Sequence, residues 1–312
     1  MRERHHQPCE MRFESLRQLS ELCTCVIAIA VVCAPLFVWA GERATHNEQD
    51  AILSTVRAYL TVLYARDYGA AYRWLSAADR RLKSQADYEQ DNEPFTGATL
   101  VLAKHLAHEI VIRDPVVKRQ GDRATLQAIL ILPNGNAAEL SDVLFADDGF
   151  AEAPMHELGE RRTRLEALIA SGNLPKVQVQ ETWELVRDPE GWRIFVDWAS
   201  GVRIQFATQV PNGLPVTATF DRAEVLTPRG EAVQLRLMVR NHGPETVRLK
   251  VIHRVEPAVL EKQLDLVQCG YLVARDVVGG EVDQSPMLYF VDEDFPKNVS
   301  HVGVTVEFVI LQ

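Results

Sequence analysis

Cysteine is scarce in this chain and is almost confined to its N-terminal end. Of the five cysteines, only Cys269 lies C-terminal to Cys33. The stretch around it, Asp265 to Phe295, continues through a Gly-Gly turn into an apolar segment that contains a proline. Any account of the function therefore has to explain this isolated thiol.

An excess of positive charge is also lacking. The 33 lysines and arginines are outnumbered by 43 aspartates and glutamates, which gives a net charge of -10 without long charged blocks. Nucleic acid is thereby excluded as the main partner, since phosphate binding needs a basic face. The hydrophobic content of 47% excludes a wholly disordered chain, and 312 residues are enough for two domains.

Charged residues are absent from Leu22 to Gly41. About 20 apolar residues are what a helix needs to cross the hydrocarbon core of a membrane. Several arginines precede this run and acidic residues follow it, so the positive-inside rule places the N-terminus in the cytoplasm. We expect a cytoplasmic tail (1–21) and a transmembrane anchor (22–41).

The predicted location is thus the inner membrane, with a single span and the bulk of the chain in the periplasm. A signal peptide cleaved after Ala40 is the alternative. Cys23, Cys25 and Cys33 fall inside the apolar run, where cysteine acts as a small hydrophobe. Cys269 would then be an unpaired thiol in an oxidising compartment, which is uncommon.

Residues 45–200 predict an α+β domain. Ile52, Val56 and Leu60 recur at helical spacing. The segment that follows from about residue 99 is predicted to be extended, with a turn at Arg113–Pro115, and residues 177–199 predict a β-hairpin. Helices followed by a meander of strands favour helices packed on one face of a curved sheet.

The sequences "VRAYLTVLYARDYGAAYRWLSAADR", "VKRQGDRATLQAILILP" and "ETWELVRDPEGWRIFVDWA" carry a resemblance to the nuclear transport factor 2-like superfamily, the cystatin-like cone. That fold serves enzymes, ligand binders and scaffolds alike. We expect no catalytic activity here and interpret the domain as a spacer or a dimerisation module.

His105 and His108 form a His-x-x-His-Glu pattern that invites a metal interpretation. The segment is predicted to be a strand, in which residues three apart point to opposite faces. We therefore expect no metal site at these histidines.

Residues 202–312 predict an all-β domain. Roughly seven short strands separated by regularly spaced turns are typical of an immunoglobulin-like β-sandwich. Three of its segments, "VRIQFATQVPNGLPVTATF", "VQCGYL" and "VVGGEVDQSPMLYFVDEDF", resemble in order the membrane-anchored assembly factor that delivers copper to cytochrome c oxidase. The resemblance implies copper(I) as cargo and a cytochrome c oxidase subunit, or another membrane complex, as partner.

One departure from that family concerns the metal motif itself. The family has Cys-x-Cys, whereas this chain has Cys269-Gly270-Tyr271. Copper(I) is a soft ion held by two or three thiolate or thioether ligands. The candidate ligands are therefore Cys269 and Met287.

Two other arrangements stay open for Cys269. Two copies of Cys269 could face each other in a homodimer, and His253 or His242 could add a weaker ligand. Cys269 could also be an ordinary strand residue, with Gly270 marking a β-bulge.

Three functions follow in order of preference. The first is a copper-delivery factor for cytochrome c oxidase, and the second is a copper-free scaffolding or binding module for a membrane complex. The third is small-ligand binding in the cone-like domain.

Overall fold

The computed structural model describes residues 46–145 and 152–311, which form two compact units. The first comprises the described residues of 46–77 and 93–195, and the second comprises 78–92 and 196–311. The predicted tail and anchor lie outside the described residues. None of the helices between residues 46 and 311 is both long and apolar enough to cross a membrane.

The first unit combines helices with one antiparallel sheet. Its helices are α1 (His46–Tyr64), α2 (Tyr68–Tyr72), α5 (Gly97–Leu106), α6 (Ala138–Leu144) and α7 (Leu158–Ala170). Its strands are β1 (Val111–Gln120), β2 (Arg123–Pro133), β3 (Lys176–Asp188) and β4 (Gly191–Ile194), paired in the order β1-β2-β3-β4. This mixture fits the predicted α+β class.

Helix α1 and the β3–β4 hairpin agree with the sequence pattern. Ile52, Val56 and Leu60 are buried along one side of α1. Strands β3 and β4 are joined by two residues, and Gly191 has the positive φ (112°) that side chains rarely adopt. The predicted turn at Arg113–Pro115 is instead a bulge within the continuous strand β1.

The extended conformation predicted around His105 is wrong, because residues 97–106 form helix α5. Ala98, Leu102 and Leu106 recur every fourth residue and are all buried, so helical spacing outweighs the strand propensity of the Thr-Leu-Val-Leu run.

The second unit is a β-sandwich preceded by two short helices. The helices are α3 (Ala77–Leu82) and α4 (Gln85–Asn92). The strands are β5 (Val202–Gln209), β6 (Val216–Phe220), β7 (Glu224–Thr227), β8 (Ala232–Asn241), β9 (Val247–Glu256), β10 (Leu264–Cys269), β11 (Arg275–Val277), β12 (Val282–Val291) and β13 (His301–Ile310).

These strands form two sheets around one core. The β12 sheet has the order β10-β12-β8-β6, and the β13 sheet has the order β11-β9-β13-β5-β7. Core side chains come from both sheets, and the rings of Phe206 and Tyr289 meet between them at 5.4 Å. The sandwich is therefore as predicted, although the sequence indicated about seven strands and the described residues of the second unit contain nine.

A buried carboxylate fixes the helical segment 78–92 within the second unit. The two carboxylate oxygens of Asp79 accept hydrogen bonds from the backbone N–H groups of Val196 and Trp198, each at 3.0 Å. Asp79 is 1% exposed. The ring of Tyr88 on α4 lies 5.7 Å from that of Trp198. The sequence interpretation had placed this segment within the domain 45–200.

A second buried cluster joins the same segment to the sandwich. Nζ of Lys83 donates to the carbonyl of Leu226 at 2.9 Å and pairs with Asp91, which also pairs with Arg222. Burial lowers the pKa of Lys83, and the charge of Asp91 opposes this shift. Removing one member would leave an uncompensated buried charge, which is strongly destabilising.

We expect Asp79→Ala to lower the free energy of unfolding of the second unit by about 2–4 kcal/mol, because two buried N–H groups lose their acceptor. Guanidinium unfolding of the full chain measures the change. Asp87→Ala is the matched control, since Asp87 lies on the same segment, is exposed and hydrogen-bonds the exposed Ser84. Equal effects of the two substitutions would contradict the assigned role of Asp79.

Candidate metal centre

The two predicted ligands are brought together by strand pairing. Cys269 is the last residue of β10, the edge strand of the β12 sheet, and lies directly opposite Met287 on β12. Both side chains belong to the sandwich core, with Cys269 7% and Met287 0% exposed. The Cβ atoms of such cross-strand neighbours are about 4.5–5.5 Å apart.

A β-bulge turns Cys269 into the core. Leu266 pairs with Tyr289 and Gln268 pairs with Leu288, so Val267 is an extra residue on β10 and is 59% exposed. In a regular strand, residues three apart face opposite sides. The bulge allows Leu266 and Cys269 to face the core together. The hypothesis that Gly270 marks the bulge is therefore wrong, because the bulge lies at Val267.

Gly270 instead makes room for a close contact. The Oγ of Ser285 accepts a hydrogen bond from the backbone N–H of Gly270 at 3.1 Å. A Cβ at position 270 would lie 2.4 Å from that oxygen and 2.9 Å from Nη1 of Arg275. A side chain at this position would have to displace both neighbours.

Tyr271, which stands where the family has its second cysteine, is engaged elsewhere. Its hydroxyl donates to Oδ2 of Asp283 at 2.5 Å, and Nη1 of Arg275 lies 3.4 Å from the same oxygen. Its ring meets that of Phe308 at 5.9 Å. Burial and the hydrogen bond to Asp283 raise the pKa of Tyr271. The phenol is thus a packed and hydrogen-bonded part of the core.

Burial and neighbouring groups shift the pKa of the Cys269 thiol in opposite directions. Burial raises the pKa of Cys269, whereas the backbone amides of Tyr271 and Leu272 and the charge of Arg275 lower it. Burial prevails, so the thiol is protonated at neutral pH. The amides and the arginine are nevertheless groups that would stabilise a thiolate once a cation replaced the proton.

Tyr289 and His253 bring two unsatisfied polar atoms to the same part of the core. Among the described residues, neither the hydroxyl of Tyr289 nor Nδ1 of His253 has a hydrogen-bond partner, and both atoms are buried. Their rings are 5.6 Å apart. Burial raises the pKa of Tyr289, and the nearby Cys269 contributes to that shift.

The pKa of His253 is lowered by burial, against the charge of Glu261. The imidazole is therefore neutral at physiological pH, the form in which histidine binds metals. The sequence analysis did not identify Tyr289. Its position two residues after Met287, on the same face of one strand, was the available signal.

The other histidines considered from the sequence lie in other settings. His242 is exposed in the turn after β8, where its Nε2 lies 2.9 Å from the hydroxyl of Thr217. His105 is half-buried at the end of α5 and His108 is exposed. Between residues 46 and 311, the described residues contain no group of three or more His, Cys, Asp and Glu side chains placed to bind a metal.

Residues 176–311 match the family Cytochrome c oxidase assembly protein CtaG/Cox11. The match begins at the first residue of β3 and extends through the whole sandwich, which is less than half of the chain. It supports the resemblance stated for the C-terminal domain. No curated protein matches the chain.

A buried thiol with a raised pKa should react slowly. In a background with Cys9, Cys23, Cys25 and Cys33 replaced by serine, we expect iodoacetamide to modify native Cys269 at least about tenfold more slowly than the unfolded chain. The rate should rise only at a pH above the range of an ordinary cysteine, because the thiolate alone reacts. Equal native and unfolded rates would show that the thiol is accessible.

Proposed function

We propose that this protein acts in cytochrome c oxidase assembly and handles copper(I) at Cys269 and Met287. The family match over residues 176–311 supports the assembly role. The observation that carries the chemistry is the cross-strand pairing of Cys269 with Met287. It places a thiol beside a thioether, and copper(I) selects these soft ligands.

The residues around the pair fit such a cargo. Copper(I) is a cation, and its binding would displace the proton of Cys269 and so remove the cost of a buried thiolate charge. The amides of Tyr271 and Leu272 would remain directed at the sulfur. Because both sulfurs are buried within one chain, we favour a site in a single protomer over a bridge between two copies of Cys269.

A copper-free scaffolding module for a membrane complex is the second candidate. It is favoured by the replacement of the second cysteine with Tyr271, whose hydroxyl is committed to Asp283. In this alternative the thiol serves only to fill the core. Binding of copper(I) separates the two candidates.

The cellular setting is part of the proposal. We place the chain in the inner membrane, anchored by residues 22–41, with both described units in the periplasm. Its partner would be a cytochrome c oxidase subunit. The first unit would be a nuclear transport factor 2-like module without catalytic activity, acting as a spacer or in dimerisation; binding of a small ligand there is the remaining alternative.

Anaerobic titration with copper(I) against a chromogenic chelator tests the chemistry. The protein is the full chain in detergent, carrying serine at positions 9, 23, 25 and 33 so that Cys269 is the only thiol. We expect one copper per chain. Cys269→Ala should abolish competition with the chelator, and Met287→Leu should weaken binding because it removes the thioether at nearly constant volume.

Met238→Leu is the matched control, since Met238 lies on β8 opposite Gln284, outside the Cys269–Met287 pair. It should leave the affinity unchanged. Identical titrations for the parent and Cys269→Ala would refute copper handling at this thiol and favour the copper-free module. One copper per two chains would favour the bridged homodimer.

A further inference from the structure

We propose that His253 and Tyr289 complete the copper(I) site, with Nδ1 of His253 as a third ligand and the hydroxyl of Tyr289 as a hydrogen-bond donor to the Cys269 sulfur. This inference rests on the proposed function. It adds a ligand and a positioning residue, neither of which follows from a Cys-x-Cys motif.

The chain that follows Cys269 runs beside the strand that carries His253. Strands β9 and β11 run antiparallel with Leu249 opposite Arg275, and the backbone N–H of Val251 donates to the carbonyl of Tyr271 at 3.0 Å. Cys269 precedes Tyr271 by two residues, in a turn closed by a hydrogen bond from the N–H of Leu272 to the carbonyl of Cys269 at 3.2 Å. Cys269 therefore lies where the chain passes from the β12 sheet to the β13 sheet, two residues before a contact with β9, the strand that carries His253.

The ring of Tyr289 links the two residues independently. The centroid of its ring lies 5.6 Å from that of the His253 ring, and the strand pairing that sets Met287 opposite Cys269 also sets Tyr289 opposite Leu266. Tyr289 and Met287 are separated by one residue on β12 and face the same core. Four side chains from three strands thus converge on one region between the sheets.

The two polar atoms without hydrogen-bond partners among the described residues indicate which ligand this region binds. A buried hydroxyl without a partner is destabilising, and phenylalanine would fill the same space without that cost. A thiolate at Cys269 would provide the missing acceptor for Tyr289. A copper(I) ion would provide the missing partner for Nδ1 of His253, since imidazole is a suitable copper ligand.

The test uses the same full-length background with Cys269 as its only thiol. We expect His253→Gln to weaken copper(I) binding by more than about 100-fold, beyond the 10–100-fold typical of residues that act on a ligand. Tyr289→Phe should weaken binding by about 10–100-fold. Copper K-edge absorption should change from two sulfurs and one nitrogen to two sulfurs in His253→Gln.

Thermal unfolding without copper provides a readout that a purely structural role would not reproduce. Tyr289→Phe should keep or raise the Tm while it weakens binding, because it removes an unpaired hydroxyl. His242→Gln and Tyr64→Phe are the matched controls. His242 is exposed in a turn, and Tyr64 donates to the carbonyl of Pro133 in the first unit. Both controls should leave copper affinity unchanged.

The outcomes separate this inference from the proposed function. If Cys269→Ala abolishes binding while His253→Gln and Tyr289→Phe retain the parent affinity and spectrum, the inference is wrong and the proposed function stands. If the parent itself does not bind copper(I), both fail. Loss in His253→Gln with a spectrum that still contains nitrogen would overturn the role of His253 as ligand.

Discussion

The pairing of β10 with β12 is the interaction on which the candidate site depends. It sets Cys269 opposite Met287, and the bulge at Val267 turns the cysteine inward. Strand β12 also pairs with β8 along nearly its whole length, so its own position is determined by both neighbours. Without this double pairing, nothing would hold the thiol of the edge strand β10 in the core.

Much of the fold could be predicted from sequence because its signals are local. The helical spacing of Ile52, Val56 and Leu60 and the alternation in β5 depend only on neighbouring residues. The helix at His105 was missed because a run of Thr, Leu and Val satisfies strand propensity and helical spacing at once. Only packing of Leu102 and Leu106 in the core decides between them.

The site could be predicted only in part. Cys269 and Met287 were identified by their sulfur chemistry, which is visible in the sequence. The bulge was assigned to Gly270 because glycine is its usual marker, but the extra residue is Val267, whose identity carries no such signal. His253 was one of two histidines considered from the sequence, whereas Tyr289 becomes relevant only through its unsatisfied hydroxyl, because hydrogen-bond satisfaction is a property of the folded core rather than of the sequence.

The docking of residues 78–92 through Asp79 and Lys83 makes the second unit discontinuous in sequence. Its two segments are separated by residues 93–195, which belong to the other unit. The entropy of closing so long a loop grows only with the logarithm of its length, so buried charges can offset it. A fragment cut at residue 196 would follow the boundary suggested by the strands, yet it would expose the backbone amides that Asp79 satisfies. The sandwich is therefore not separable from the chain by a cut just ahead of its first strand.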